Sequence, residues 1–219
     1  MHNVPTNAPI RTYILDLVYL SAALQGAGFD DLAARAQTAI AALKHQRAEY
    51  ERAEELEVVA TAAVSARDYQ LDTSVTAAAA LLKAHHPALF TTVFPATPSA
   101  VVKQAYDDEM RSVRAAVAHL ATLPGTDPVR TAFASRLDAH VHALEQSLAQ
   151  KDDVLTQFAV VRSAVDRAKS DANALRLALY AELLTRTGDK KVTGSFFRPA
   201  PPASAPAPAA PPADPAPTH

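Results

Sequence analysis

Histidine and glutamate residues near position 140 are the first side chains whose types and spacing could do chemistry. His140 and His142 are two residues apart, and on a helix that spacing separates them by about 200°, so they cannot bind one metal ion together. Glu145 follows His142 by three residues and shares its face, but the Glu-x-x-His pair used by di-metal helical bundles is absent from the sequence. These residues therefore predict no metal site.

Other histidines and carboxylates are expected to serve the structure rather than catalysis. His85 and His86 stand before Pro87 at the predicted end of a helix, where a protonated imidazole interacts favourably with the helix dipole. The acidic runs 107–109 and 152–153 fan out around a helix, so we expect them to face solvent. Because the sequence has no glycine-rich phosphate loop, nucleophile elbow or His-Glu-x-x-His motif, it predicts neither catalytic residues nor a cofactor.

Charged residues of two predicted long helices could form a polar layer between them. Opposite charges at similar heights would fix the register of the two helices. The other interpretation is that each of these side chains faces solvent independently. The residues of this predicted layer are Arg67, Asp68, Asp72, Arg162, Arg167, Lys169 and Asp171.

An apolar strip lies in segments that otherwise have the sequence character of loops. Its aromatic side chains require a surface on which to be buried, and full burial of one Phe contributes about 1.5–3 kcal/mol. We expect the strip to pack along the grooves of its own helical bundle, with an interface to a partner as the first alternative and membrane insertion as the second. Its residues are Leu89, Phe90, Val93, Phe94, Phe196 and Phe197.

Glycine and proline mark the boundaries of the helices that position these side chains, because long stretches lack both. The sequence predicts an all-α fold, an elongated coiled-coil-like bundle. Its two long helices lie at about 30–85 and 127–187, and two shorter ones at about 10–25 and 99–123. The short helix at about 10–25 has Ile14, Leu17, Val18 and Leu24 on one face. The long helix at about 127–187 has apolar residues alternately three and four positions apart, which is the spacing of a coiled-coil seam. A kink or break within 49–57 is an alternative to a continuous second helix.

The two long helices could be copies of one another. Segment 58–62 parallels 160–164, and the same shift places Leu81-Leu82 on Leu183-Leu184. The chain is then two repeats, 10–98 and 99–199, although Ala-rich helices also produce such similarity by chance. An extended connection over 87–98 would carry the chain about 40 Å back along the second helix. The third helix would continue in that direction, so the last long helix is predicted to begin near the start of the second and to lie parallel to it.

The domain organisation that follows is a flexible N-terminus at 1–9, one helical domain at 10–197 and a disordered Pro/Ala-rich tail at 198–219. The tail contains more than half of the 16 prolines and almost no large apolar residue, so ordering it would not repay the lost entropy. It is expected to be a spacer, with a docking peptide as the alternative.

Composition excludes several classes of function. Lys and Arg total 21 against 23 Asp and Glu, with no basic stripe, so no nucleic-acid partner is expected. Cysteine is absent, which removes thiolate chemistry and cysteine metal sites. The apolar run near the N-terminus is interrupted by Asp16 and is too short to span a membrane, so a cytoplasmic location is expected.

The sequence thus predicts function only in outline. The first expectation is a non-catalytic interaction or scaffold protein, which binds a protein partner or a second copy of itself through its helical faces. A membrane-active long-helix protein is the second hypothesis, and a helical-bundle enzyme or cofactor binder is the third.

Overall fold

The structure, a computed structural model, describes residues 4–199, which form helices and connecting turns with no β-strand. The predicted all-α class with two long helices is confirmed, and the second helix is continuous through 49–57. The expectations for residues 1–3 and for the tail at 200–219 lie outside the described residues. In chain order the helices are α1 (Ile10–Gly26), α2 (Asp30–His85), α3 (Phe90–Val93), α4 (Pro98–Val101), α5 (Tyr106–Ala121), α6 (Ser135–Thr187) and α7 (Lys190–Ser195), and a π-helical segment (Arg130–Ala134) precedes α6.

The chain divides into two compact units. The terminal unit contains, among the described residues, 4–45 and 166–199. The central unit is Gln46–Val165. Each unit has its own cluster of buried apolar side chains.

The terminal unit is built from α1, the first turns of α2, the last turns of α6, and the whole of α7. Val4 is also buried in this cluster, and its carbonyl oxygen accepts a hydrogen bond from Asn173 Nδ2 at 3.1 Å. Gly28 and Gly188 have φ of 79° and 68° where the chain turns between helices, a conformation that favours glycine because it has no Cβ. The large apolar side chains of the cluster that are at most 1% exposed are Tyr13, Leu17, Leu20, Leu24, Leu32, Leu43, Leu179 and Leu183.

An ion pair lies inside the terminal unit. Arg176 Nη2 is 3.2 Å from Asp16 Oδ2, and these two side chains are 2% and 5% exposed. Arg198 approaches the other Asp16 oxygen at 3.5 Å. Burial lowers the pKa of Arg176, and the nearby carboxylate of Asp16 opposes that shift. Asp16, which interrupts the apolar run of α1 in the sequence, is therefore the counter-ion of a buried arginine.

The long helices run antiparallel in each unit, so the predicted parallel arrangement is wrong. In the terminal unit Asp31 pairs with Arg186 and Arg35 with Glu182, so residue numbers rise on α2 as they fall on α6. In the central unit the rings of Tyr50 and Phe158 are 5.2 Å apart, and Ser74 bonds to His140.

The error came from the course of the chain between the long helices. The segment after α2 does travel back along it, because Glu109 near the start of α5 lies beside Asp72. Helix α5 then returns, because Asp127, which follows α5 and precedes the π-helical segment, bonds to His86 just after the end of α2. The predicted parallel arrangement required the helix over 99–123 to lead the chain further away from the C-terminal end of α2, whereas α5 leads it back.

The predicted helix over 99–123 is two helices, since residues 102–105 separate α4 from α5. No glycine or proline accounts for this break. The buried face of α5 includes Met110, Val113 and Leu120, and Val101 is also buried, at 4% exposure. In one continuous helix Val101 would point about 120° away from Val113, so burying both requires the chain to turn.

Asp127 connects the end of α2 to the start of the last helical stretch. Its Oδ1 accepts hydrogen bonds from the backbone N–H of Val129 at 2.9 Å and of Arg130 at 3.2 Å, which is N-capping geometry. Its Oδ2 lies 2.6 Å from His86 Nε2. Burial raises the pKa of Asp127, but the hydrogen bonds from His86 and from these amides outweigh it and hold the pKa below its usual value.

We predict that Arg176→Met lowers the free energy of unfolding by about 3–5 kcal/mol, because Asp16 then remains buried without its principal partner. The double variant Asp16→Leu/Arg176→Met should lose less than half as much, since no buried charge remains. Urea unfolding followed by circular dichroism measures both. A double variant that loses as much stability as Arg176→Met alone would contradict this account.

Candidate functional site

Three carboxylates from two helices meet in the central unit and form what we call the acidic cluster. Asp68 and Asp72 are four residues apart on α2 and therefore lie on one face. Glu109 comes from the first turn of α5. One oxygen from each of the three residues lies within 4.8 Å of the other two.

The acidic cluster is partly enclosed and has no basic partner. Glu109 is 1% exposed, and Asp68 and Asp72 are half-buried. Glu109 Oε1 and Asp72 Oδ1 are buried without a hydrogen-bond partner. Across residues 4–199, no lysine, arginine or histidine lies within ion-pair distance of these carboxylates. The negative charge of the cluster is therefore uncompensated by neighbouring side chains.

Protonation equilibria in the acidic cluster reflect this crowding. Burial and the neighbouring carboxylates of Asp72 and Asp68 raise the pKa of Glu109 to about 8. Burial and then Asp72 raise the pKa of Asp68. Burial, followed by the three carboxylates, raises the pKa of the nearby Tyr106 phenol. A carboxylic acid that stays protonated near neutrality is one way to relieve like-charge repulsion.

The solvent-facing expectation for residues 107–109 is wrong at Glu109, although Asp107 and Asp108 are exposed. Glu109 is 1% exposed and Met110 after it is also buried, and the Glu109 carboxylate lies beside Asp68 and Asp72 of α2. The sequence signal that could have indicated this site is the Asp68/Asp72 spacing on either side of the buried Leu71.

The predicted polar layer divides between the two units. Arg67 donates to Gln70 at 3.0 Å, and Lys169 pairs with Asp166 at 3.5 Å on its own helix. Asp68 and Asp72 belong to the acidic cluster. The remaining residues, Arg162, Arg167 and Asp171, are exposed on α6. The register that suggested the layer assumed parallel helices, and α2 and α6 are antiparallel in each unit.

Five of the six residues of the apolar strip pack within their own units. In the central unit Val93 and Phe94 are buried, Phe90 is half-buried with its ring 5.9 Å from that of Phe94, and Leu89 is exposed. In the terminal unit Phe196 and Phe197 are buried, and their rings lie 5.7 Å from Phe29 and 5.5 Å from Tyr180, respectively.

The histidines near position 140 occupy separate environments. His140 Nδ1 is 3.0 Å from Ser74 Oγ. His142 is exposed, with Nδ1 3.4 Å from Glu145 Oε2. Hydrogen bonding by Arg114 is the main cause that lowers the pKa of Glu145. The structure brings His140 and His142 to no shared site.

Comparison with protein-family models, curated proteins and solved structures finds no match. None of the described helices combines the length and the apolar character that a membrane span requires.

Helix α1 presents a second apolar face, which we call the α1 face. Leu15, Val18 and Tyr19 are 42%, 43% and 42% exposed, and Ala22 is exposed beside them. Their spacing of i, i+3, i+4 and i+7 places them in one stripe. Val18 therefore does not share the face of Leu17 and Leu24, as its spacing predicted, because those two side chains are buried on the opposite side of α1.

We predict that the acidic cluster makes stability fall as pH rises. The folded protein holds a proton on Glu109 up to about pH 8, whereas the ordinary pKa of this side chain is 4.5. Between these values the folded state binds the extra proton, so the free energy of unfolding decreases by at most about 1.4 kcal/mol per pH unit. Glu109→Gln should remove this contribution.

The measurement is urea unfolding at several pH values in buffer that contains a chelator, with the wild type compared with Glu109→Gln. Asp107→Asn, an exposed neighbour on the same helix, is the matched control and should keep the wild-type pH dependence. Equal pH slopes for the wild type and Glu109→Gln would show that Glu109 ionises normally.

Proposed function

We propose that this protein is a non-catalytic interaction module and that it self-associates through the α1 face. The observation that supports the proposal is the stripe of Leu15, Val18, Tyr19 and Ala22, exposed on a helix whose opposite face is already buried in the core. A helix that is apolar on both sides is normally covered on both sides. Recognition of one helix by another uses anchors at this i, i+3, i+4, i+7 spacing.

A second copy of the chain is the occupant that fits this face. Two-fold symmetric contacts place the same patch on both subunits, so the patch must complement itself. The stripe contains no charged residue, and the exposed Arg11, one turn before Leu15 on α1, lies toward its N-terminal end. If two α1 helices cross antiparallel, each Arg11 faces the Ala22–Gly26 end of the other helix. Like charges are then kept apart and small residues allow close approach.

We predict that Val18→Glu weakens self-association at least about tenfold, because it places a charge from each copy in the centre of the contact. Sedimentation velocity between about 1 and 300 µM measures the dissociation constant of the full-length chain. Circular dichroism should show unchanged helicity, since Val18 is outside the core.

Leu177→Glu is the matched control, because Leu177 is 50% exposed on α6 in the same unit. It should leave the dissociation constant unchanged. A wild-type chain that stays monomeric over the whole concentration range would contradict the proposal, and so would an equal effect of both variants.

A further inference from the structure

We propose that Asp68, Asp72 and Glu109 bind one divalent cation of the class that prefers oxygen ligands, namely Mg²⁺, Mn²⁺ or Ca²⁺. The inference is separate from the proposed self-association, because the acidic cluster belongs to the central unit and the α1 face to the terminal unit. It requires no contribution from α1.

The geometry of the acidic cluster fits a cation. Its three oxygens lie within 4.8 Å of one another. Ligand oxygens of an octahedral Mg²⁺ ion, at about 2.1 Å from the metal, are at most about 4.2 Å apart, and those of Ca²⁺ at about 2.4 Å are at most about 4.8 Å apart. One ion can therefore contact all three residues with little movement of the helices.

Glu109 provides the independent observation that distinguishes this site from a hydrated acidic surface. Its side chain is 1% exposed and comes from a different helix than Asp68 and Asp72, yet its carboxylate is directed at them. Its Oε1 has no hydrogen-bond partner. Burying such an atom is costly unless something pairs with it, and no basic side chain among residues 4–199 does so.

The charged groups around the cluster do not supply a positive charge to the buried Glu109 carboxylate. From α2 and α5, the titratable groups that act on Glu109 or its neighbours are Asp68, Asp72 and Tyr106, none of them cationic. On α6, His140 is bonded to Ser74, and Glu145 is paired with Arg114. A dication reduces the charge of three ionised carboxylates from −3 to −1, whereas a proton reduces it only to −2.

The ligand set selects the class of ion. All three candidate ligands are carboxylate oxygens, and the cluster contains no imidazole or thiolate. Hard cations take such ligands, whereas structural Zn²⁺ sites are usually built from Cys and His. Three protein ligands leave further coordination positions to water, as is usual for Mg²⁺.

The test uses the full-length chain, freed of metal with a chelator and then dialysed. Isothermal titration with MgCl₂, MnCl₂ and CaCl₂ should show one ion per chain for at least one of the three salts. At about a hundredfold excess over the dissociation constant, that ion should raise the unfolding midpoint by roughly 5–10 °C. For Mn²⁺, electron paramagnetic resonance reports the bound ion directly.

Variants separate a built site from general binding to surface carboxylates. Glu109→Gln and Asp72→Asn should each weaken binding at least about tenfold, since loss of a mere outer-shell partner already costs about 10–100-fold. Asp107→Asn, exposed on the same helix, should bind as the wild type does. Circular dichroism of each variant checks that the helices remain formed.

Two results would overturn the proposal. The first is an absence of heat, midpoint shift and resonance change with all three ions at about 10 mM, far above the range expected of a dedicated site. The second is binding that survives unchanged in both Glu109→Gln and Asp72→Asn. In either case a proton alone neutralises the buried carboxylate.

Discussion

Asp127 does two tasks that determine the layout of the central unit. One oxygen caps the start of the last helical stretch, and the other bonds to His86 immediately after α2 ends. The chain between these points must therefore leave the end of α2 and return to it. It travels back along α2 through α3 and α4, and α5 completes the return. Because α5 begins at the height of Asp68 and Asp72, the same constraint brings Glu109 to face them. The acidic cluster is thus a consequence of how the loop between the long helices is closed.

Local patterns in the sequence were sufficient for the secondary structure of the long elements. The absence of glycine and proline predicts α2 as the structure has it. In the predicted seam of the last long helix, Leu137, Val141, Leu144 and Val165 are buried, whereas Leu155 is 38% exposed. Direction was not predictable in the same way, because an Ala-rich helix can pack parallel or antiparallel with similar faces. His86 and Asp127 carried the deciding information, but they are 41 residues apart and only their contact reveals it. The break before α5 was missed for a related reason, since burial of Val101 overrides the helical preference of residues 102–105.

The two faces of α1 show why burial could not be assigned from hydrophobicity alone. Leu17, Leu20 and Leu24 are buried, while Leu15, Val18 and Tyr19 are equally apolar and remain exposed. Because apolar residues lie on both sides of α1, no single hydrophobic face stands out, and the sequence could not indicate which side faces the core. The position of Asp16 could have helped in principle, because its carboxylate is buried against Arg176. Recognising that requires knowing that a basic residue 160 positions later lies beside it.

Buried charge is treated differently in the two units, and the contrast is informative. Asp16 in the terminal unit has Arg176 and Arg198 within ion-pair distance, so folding supplies its counter-ions from the chain itself. Glu109 in the central unit is at least as buried, is surrounded by further carboxylates, and has no such partner within the described part of the chain. A helical packing that could accommodate Leu or Ala at these positions gains nothing in stability from three carboxylates, because desolvation and repulsion both oppose folding. Their presence is accounted for if the folded chain takes its compensating charge from solution.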